Sequence, residues 1–227
     1  FENGFANGKL SIDAVPSTIS SVPSLMNKSF ISSSYSVNTV YGLPKILKDN
    51  GYNTSFFHGA FNGSQNFDQY ANVAGFDHYY GKNEYKGPES FDGKWGVFDE
   101  DFLQFFAKEL TTFKQPFFTT LFTISSHAPF TIPEKYKGKF PKGTTEIHES
   151  IAYTDYALKK FFESAEKMPW FNNTIFVITA DHTSSTGEEP EYKNNVGKFR
   201  IPILFYVPND ASMVKVDEKN FQQIDIL

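Results

Sequence analysis

The 227-residue chain contains no cysteine. Disulfides, thiolate zinc sites and a cysteine nucleophile are excluded together. No apolar run approaches the roughly 20 residues that a helix needs to span a bilayer. The 21 Lys and Arg residues are scattered and outnumbered by 26 Asp and Glu, for a net charge of -5. No basic stripe exists to track a nucleic-acid backbone, so nucleic acid is not an expected partner. Internal repeats and low-complexity linkers are missing too, and the length suits one large domain. What the chain has in abundance is aromatic residues, 26 Phe and 12 Tyr among them. Phe dominates the apolar blocks and is assigned mainly to core, which leaves a minority to line a site for sugar or glycerol groups.

The apolar blocks alternate with helical patterns. Thr54–Phe57, Phe117–Ser125, Thr174–Thr179 and Ile203–Val207 are continuous apolar runs of strand length. Thr39–Asn50, Asp99–Leu110 and Ile147–Lys167 have helical spacing, with Asp99 as a capping acid. Ile12–Met26 reads as partly helical, with Pro16 where a helix interior would be disrupted. Continuous apolar strands separated by helices predict an α/β fold: a mostly parallel central sheet with helices on both faces. Ligands of such folds bind beyond the C-terminal ends of the strands. His58, His127 and His182 each follow an apolar strand, which predicts three imidazoles on one rim.

Asp181-His182 offers a carboxylate and an imidazole to one divalent metal. The same dipeptide also suits an Asp capping the next turn beside a solvent-facing His. His127, in Ser125-Ser126-His127-Ala128-Pro129, either belongs to a site or hydrogen-bonds its own loop. His78 and His148 lack such a setting and are assigned structural or exposed roles. Ser11 follows the flexible turn Asn7-Gly8-Lys9-Leu10 and precedes a helical segment. A serine there is an N-cap, or an attacking oxygen whose phosphoryl group is steadied by free backbone amides. Pattern alone leaves both readings open.

The ordered set of motifs resembles the lipoteichoic acid synthase-like, phosphoglycerol transferase branch of the sulfatase family, within the alkaline phosphatase superfamily. It comprises Phe57-His58-Gly59, Gly75-Phe76-Asp77, Trp95-Gly96-Val97-Phe98-Asp99, Ser126-His127-Ala128-Pro129-Phe130, Ile151-Ala152-Tyr153-Thr154-Asp155, Thr179-Ala180-Asp181-His182 and Arg200-Ile201-Pro202. The resemblance implies an alkaline phosphatase-like catalytic domain over residues 1–227 and a covalent intermediate on a hydroxyl. It implies one divalent metal, manganese first, with magnesium, zinc or calcium as alternatives. Gly8–Pro16 resembles the family's nucleophile turn and places Ser11 at the attacking position. Asp181 and His182 match two metal ligands, with the Ser11 oxygen as a third. His58, His127 and Trp95 fall to substrate binding, and His127 doubles as proton donor to the leaving group. The resemblance further implies a substrate that is an anionic phospholipid or an envelope glycan. It also implies anchorage in the cell membrane through a transmembrane segment upstream of Phe1, with this domain on the extracytoplasmic side.

Three departures qualify the match. The family's acidic metal ligand on its first strand would fall before Phe1, and Gln223–Leu227 lies inside a motif that the family continues. The Trp and Arg that bind substrate in Gram-positive synthases have no counterpart in Asn62-Gly63-Ser64-Gln65-Asn66-Phe67. The natural substrate is therefore not bound to be phosphatidylglycerol. Two rival functions remain. A sulfatase of the dominant type carries Cys/Ser-x-Pro-x-Arg at its nucleophile, but Asp13 and Val15 stand two and four places after Ser11. A non-catalytic domain binding envelope glycans through its aromatics would bind no metal.

Overall fold

In the computed structural model, which describes residues 1–187 and 189–227, the chain forms two compact units built from interleaved segments. The first comprises residues 1–51, 65–76 and 172–227, and the second residues 52–64 and 77–171.

The second unit is organised by strand β2 (Asn53–His58), which lies between β3 (His78–Tyr80) and β4 (Phe117–Phe122) and runs parallel to both. Its run of apolar and small residues buries both faces, as a central parallel strand requires. Phe57 is fully buried, stacked on Tyr80 at 4.3 Å and edge-on to Phe106 at 4.8 Å. A buried ring of this kind is worth roughly 2–3 kcal/mol. Phe106 belongs to α4 (Asp99–Thr112), whose apolar residues face α5 (Ile147–Ala165) through the Phe106–Phe161 pair at 5.7 Å.

In the first unit, β1 (Asn3–Phe5) pairs in parallel with β7 (Asn220–Gln222). Helix α1 (Ser11–Ser20) buries Ala14, Val15 and Ile19. It accommodates Pro16 in its interior and ends at Ser21, in the left-handed region, so it is shorter than the predicted Ile12–Met26 segment. Helix α2 (Leu43–Asp49) starts later than expected because Pro44 belongs in a first turn. Helix α3 (Phe67–Ala74) completes the helical part of the unit.

One topological expectation is corrected. Strand β5 (Phe176–Thr179) pairs antiparallel with β6 (Ile203–Tyr206), in a sheet separate from that of β2 and β4. Among the described residues no α-helix lies between β5 and β6, only short 3-10 turns. A parallel pair needs a crossover, usually helical, so the return is antiparallel. By backbone hydrogen bonding β2 and β4 are neighbours in one sheet, and β5 pairs with β6 in another. Nor are β5 and β6 fully buried, since Val177 is 40% and Leu204 47% exposed.

Candidate active site

Ser11 is the first residue of α1, and the cap position belongs to Leu10, which has extended backbone and makes no side-chain cap bond. The first helical amides to bond back are those of Asp13 and Ala14, both to Leu10 O. The Ser11 and Ile12 N–H groups precede them, at the end where helix amides lack intrahelical acceptors. Gly8 is required in the preceding turn, because a Cβ there would overlap Asp13 Cβ.

Ser11 is 8% exposed and its hydroxyl points away from capping. It donates to Asp181 Oδ2 at 2.6 Å and lies 3.5 Å from His182 Nε2. Asp181 Oδ2 is in turn 3.4 Å from His182 Nε2. Three donor atoms thus converge, an oxygen of each hard kind and one imidazole nitrogen. Asp181 Oδ1 accepts the His182 N–H at 2.9 Å. His182 Nδ1 lies 2.9 Å from Thr183 O, which favours Nδ1–H and leaves the Nε2 lone pair toward Ser11 and Asp181. An outer acceptor on one ring nitrogen is compatible with metal ligation through the other. Among the described residues no group of three His, Cys, Asp or Glu gathers for a metal. Ser11, Asp181 and His182 are the residues here that could hold one.

The backbone behind these groups is held by a residue that sequence reading missed. Gln223 is fully buried. Its Oε1 accepts the Asn7 N–H at 3.0 Å, and its Nε2 donates to Ala180 O at 3.0 Å and Asp181 O at 2.8 Å. Asn7 returns the contact, its Oδ1 accepting Ile224 N–H at 3.1 Å. The signal available in the sequence was its place in Gln223–Leu227, the stretch that resembles a family motif.

In the second unit, His58 ends β2 and is 3% exposed, with Nδ1 3.4 Å from Tyr79 Oη. Burial lowers its pKa to about 4, so the ring is neutral at pH 7. His127 is exposed and sits in the turn after β4, its N–H bonded to Ile124 O at 3.0 Å. Trp95 packs edge-on against the His127 ring at 4.6 Å, and its indole N–H donates to Ala128 O at 2.8 Å. His148 Nδ1 accepts from Thr144 N–H at 3.0 Å and His78 is exposed, in keeping with structural or exposed roles.

Asp99 also departs from expectation. It is the first residue of α4 but does not cap that helix. Its carboxylate is 2% exposed and accepts from Ile124 N–H at 2.8 Å, Ser125 N–H at 3.2 Å and Thr154 Oγ1 at 2.9 Å. Burial raises its pKa, against the lowering effect of these donors. The residue ties α4 and α5 to the turn that carries His127.

The family model described as Sulfatase matches residues 1–227. Lipoteichoic acid synthase 1 of Bacillus subtilis is 27% identical over 189 residues, covering 75% of this chain and 29% of that protein. The chain therefore spans under a third of that relative's length. A solved protein of the alkaline phosphatase superfamily from Vibrio parahaemolyticus superposes with a TM-score of 0.86 at 27% identity, over 99% of this chain and 54% of the other. The lipoteichoic acid synthase LtaP of Listeria monocytogenes superposes at 0.76 and 22% identity, over 99% of this chain and 60% of its own. The fold is alkaline phosphatase-like.

Proposed function

The chain belongs to the sulfatase family, in its lipoteichoic acid synthase-like branch, and we propose that it is a metal-dependent phosphoryl-group transferase or phosphodiesterase working through a phosphoserine at Ser11. The observation that carries this reading is the placement of the Ser11 hydroxyl, at a helix N-terminus and 2.6 Å from Asp181 Oδ2.

Ser11 Oγ, Asp181 Oδ2 and His182 Nε2 would hold the divalent cation, with manganese the first choice. A carboxylate, a hydroxyl oxygen and a neutral imidazole are an acceptable donor set for it. Bound there, the cation would depress the serine pKa and offset charge on the phosphoryl oxygens.

In the first displacement Ser11 Oγ attacks the phosphorus of a phosphodiester, and the hydroxyl proton leaves along the hydrogen bond to Asp181. A P–O bond to one alcohol breaks, and the departing oxygen takes a proton. The Ser11 and Ile12 amides are available to a nonbridging oxygen. In the second displacement a hydroxyl of an acceptor, or water, attacks the phosphoserine and gives its proton to the base that protonated the first alcohol; the P–O bond to Ser11 breaks and Ser11 Oγ recovers its proton from Asp181. His58 is proposed to hold a substrate phosphate and His127 to supply the proton of a leaving alcohol; what supports these roles is the family branch.

The proposed substrate is an anionic lipid or glycan of the cell envelope, met on the extracytoplasmic side of the membrane. What supports this is the family branch and the names of its members. Among the described residues no helix is long and apolar enough to cross a membrane.

Trapping tests the proposal. The protein is incubated with manganese and bis-p-nitrophenyl phosphate, quenched in acid and mapped by mass spectrometry. A phosphoryl adduct on Ser11 is expected. An adduct on another residue, or turnover of a sulfate ester in preference to the phosphodiester, would overturn it.

A further inference from the structure

Among the described residues no backbone hydrogen bond joins the two loops that carry Ser11 and Asp181; apart from the contacts of Ser11 itself, one carboxamide bridges them. On one side stands Asn7, which opens the turn leading to Ser11. On the other stand the carbonyls of Ala180 and Asp181, where the chain leaves β5. Gln223 bridges the two with one acceptor and two donors. A carboxamide is the side-chain group that offers this combination in one plane. A carboxylate would set an oxygen against two carbonyl oxygens, and a thioether would remove the Gln223 bond from all three partners, leaving Ala180 O with the Thr179 hydroxyl alone.

The turn that carries Gln223 is itself fixed. Its residues Gln222 and Asp225 form a reciprocal capping box, and Ile224 O accepts from Ser21 Oγ at 2.7 Å, just past the end of α1. Asn7 Nδ2 donates to Gln222 Oε1 at 2.7 Å. Gln223 is thus a buried group on a pinned turn, touching both loops that bring the nucleophile and the donor carboxylate together.

We propose that Gln223 is the positioning residue of this site: its carboxamide sets the distance between Ser11 Oγ and Asp181 Oδ2. The inference rests on the reading of Ser11, Asp181 and His182 as nucleophile and metal donors. It assigns no chemistry to Gln223, which acts only through the backbone of the two loops.

The test uses Gln223→Met, close in length and apolar, and Gln223→Glu, close in shape and reversed in hydrogen bonding. Crystal structures of the parent and both variants report the Ser11 Oγ–Asp181 Oδ2 separation directly. Titration with manganese chloride in the absence of substrate then reports affinity, and Phe161→Leu, a core change in α5, supplies a control matched in thermal stability. The expected result is a separation beyond hydrogen-bond reach in the variants and a loss of about 10–100-fold in manganese affinity, with affinity unchanged in the control. A variant that keeps the short separation, or loses affinity only in step with the control, overturns the proposal. If Gln223→Met does not fold, Gln223→Glu decides. If the parent itself takes up no manganese, the metal reading fails, and the crystallographic separation alone judges Gln223.

Discussion

Ser11 Oγ donates to Asp181 Oδ2 at 2.6 Å, a contact between residues 170 positions apart in the chain. A serine that only capped its helix would accept a backbone N–H from the first turn. Here Leu10 holds the cap position and the serine hydroxyl is committed to a carboxylate. Hydrogen bonds to an ionised acceptor are short and roughly twice as strong as neutral ones.

Asp99 should be the most sensitive carboxylate of the second unit. Asp99→Ala would strand donors on Ile124, Ser125 and Thr154, and is expected to cost about 2–5 kcal/mol in chemical denaturation. The pH dependence has a definite sign. Burial raises the folded pKa, so the native state holds its proton more tightly than the unfolded chain. The contribution of Asp99 is most favourable below the ordinary carboxylate value of about 3.9 and declines as pH rises through the folded value. Asp99→Asn should remove that decline from the stability profile, and an unchanged profile would contradict this assignment.

His58 has the opposite dependence. Its pKa falls from 6.5 in the unfolded chain to about 4 in the fold. On acidification the unfolded chain takes the proton first, so stability present above about 6.5 is lost progressively toward pH 4, by up to about 3 kcal/mol. Urea titrations of the parent and His58→Gln across that range should diverge as the pH falls. Parallel curves would show that the imidazole is not held neutral.

Trp95, expected to bind substrate, donates its indole N–H to Ala128 O and packs its ring edge-on against His127. Trp95→Phe keeps a ring and loses the hydrogen bond, which should cost about 1 kcal/mol. Because His127 loses its lateral support, kcat for a phosphodiester with a poor leaving group should fall more than for one with a nitrophenol. Equal losses on both substrates would assign Trp95 to binding rather than to orienting His127.

Much of this arrangement was legible in the chain because it is local. The apolar run around Phe56 and Phe57 marked β2, the acids and spacing from Asp99 marked α4, and Asp181-His182 at a strand end marked the pair that meets Ser11. What was not legible depends on contacts across long separations. Nothing near Gln223 in sequence announces that it meets Asn7 and Asp181, 216 and 42 positions away. The carboxylate of Asp99 looked like a helix cap because acids in a first turn usually serve that helix, whereas its partners come from β4's turn and α5. The pairing of β5 with β6 was misread because apolar runs of strand length carry no mark of direction. The length of the linking segment, without a helix, was the available clue.

Turnover of bis-p-nitrophenyl phosphate by Ser11→Ala, set beside its thermal unfolding and that of Ser11→Thr, decides whether Ser11 is a nucleophile. With manganese present, Ser11→Ala is expected to unfold close to the parent temperature and to lose at least about a thousandfold in kcat. Ser11→Thr, which keeps a hydroxyl on the same carbon, should retain part of the activity. Turnover by Ser11→Ala at the parent rate would contradict the account and leave Ser11 as a structural partner of Asp181.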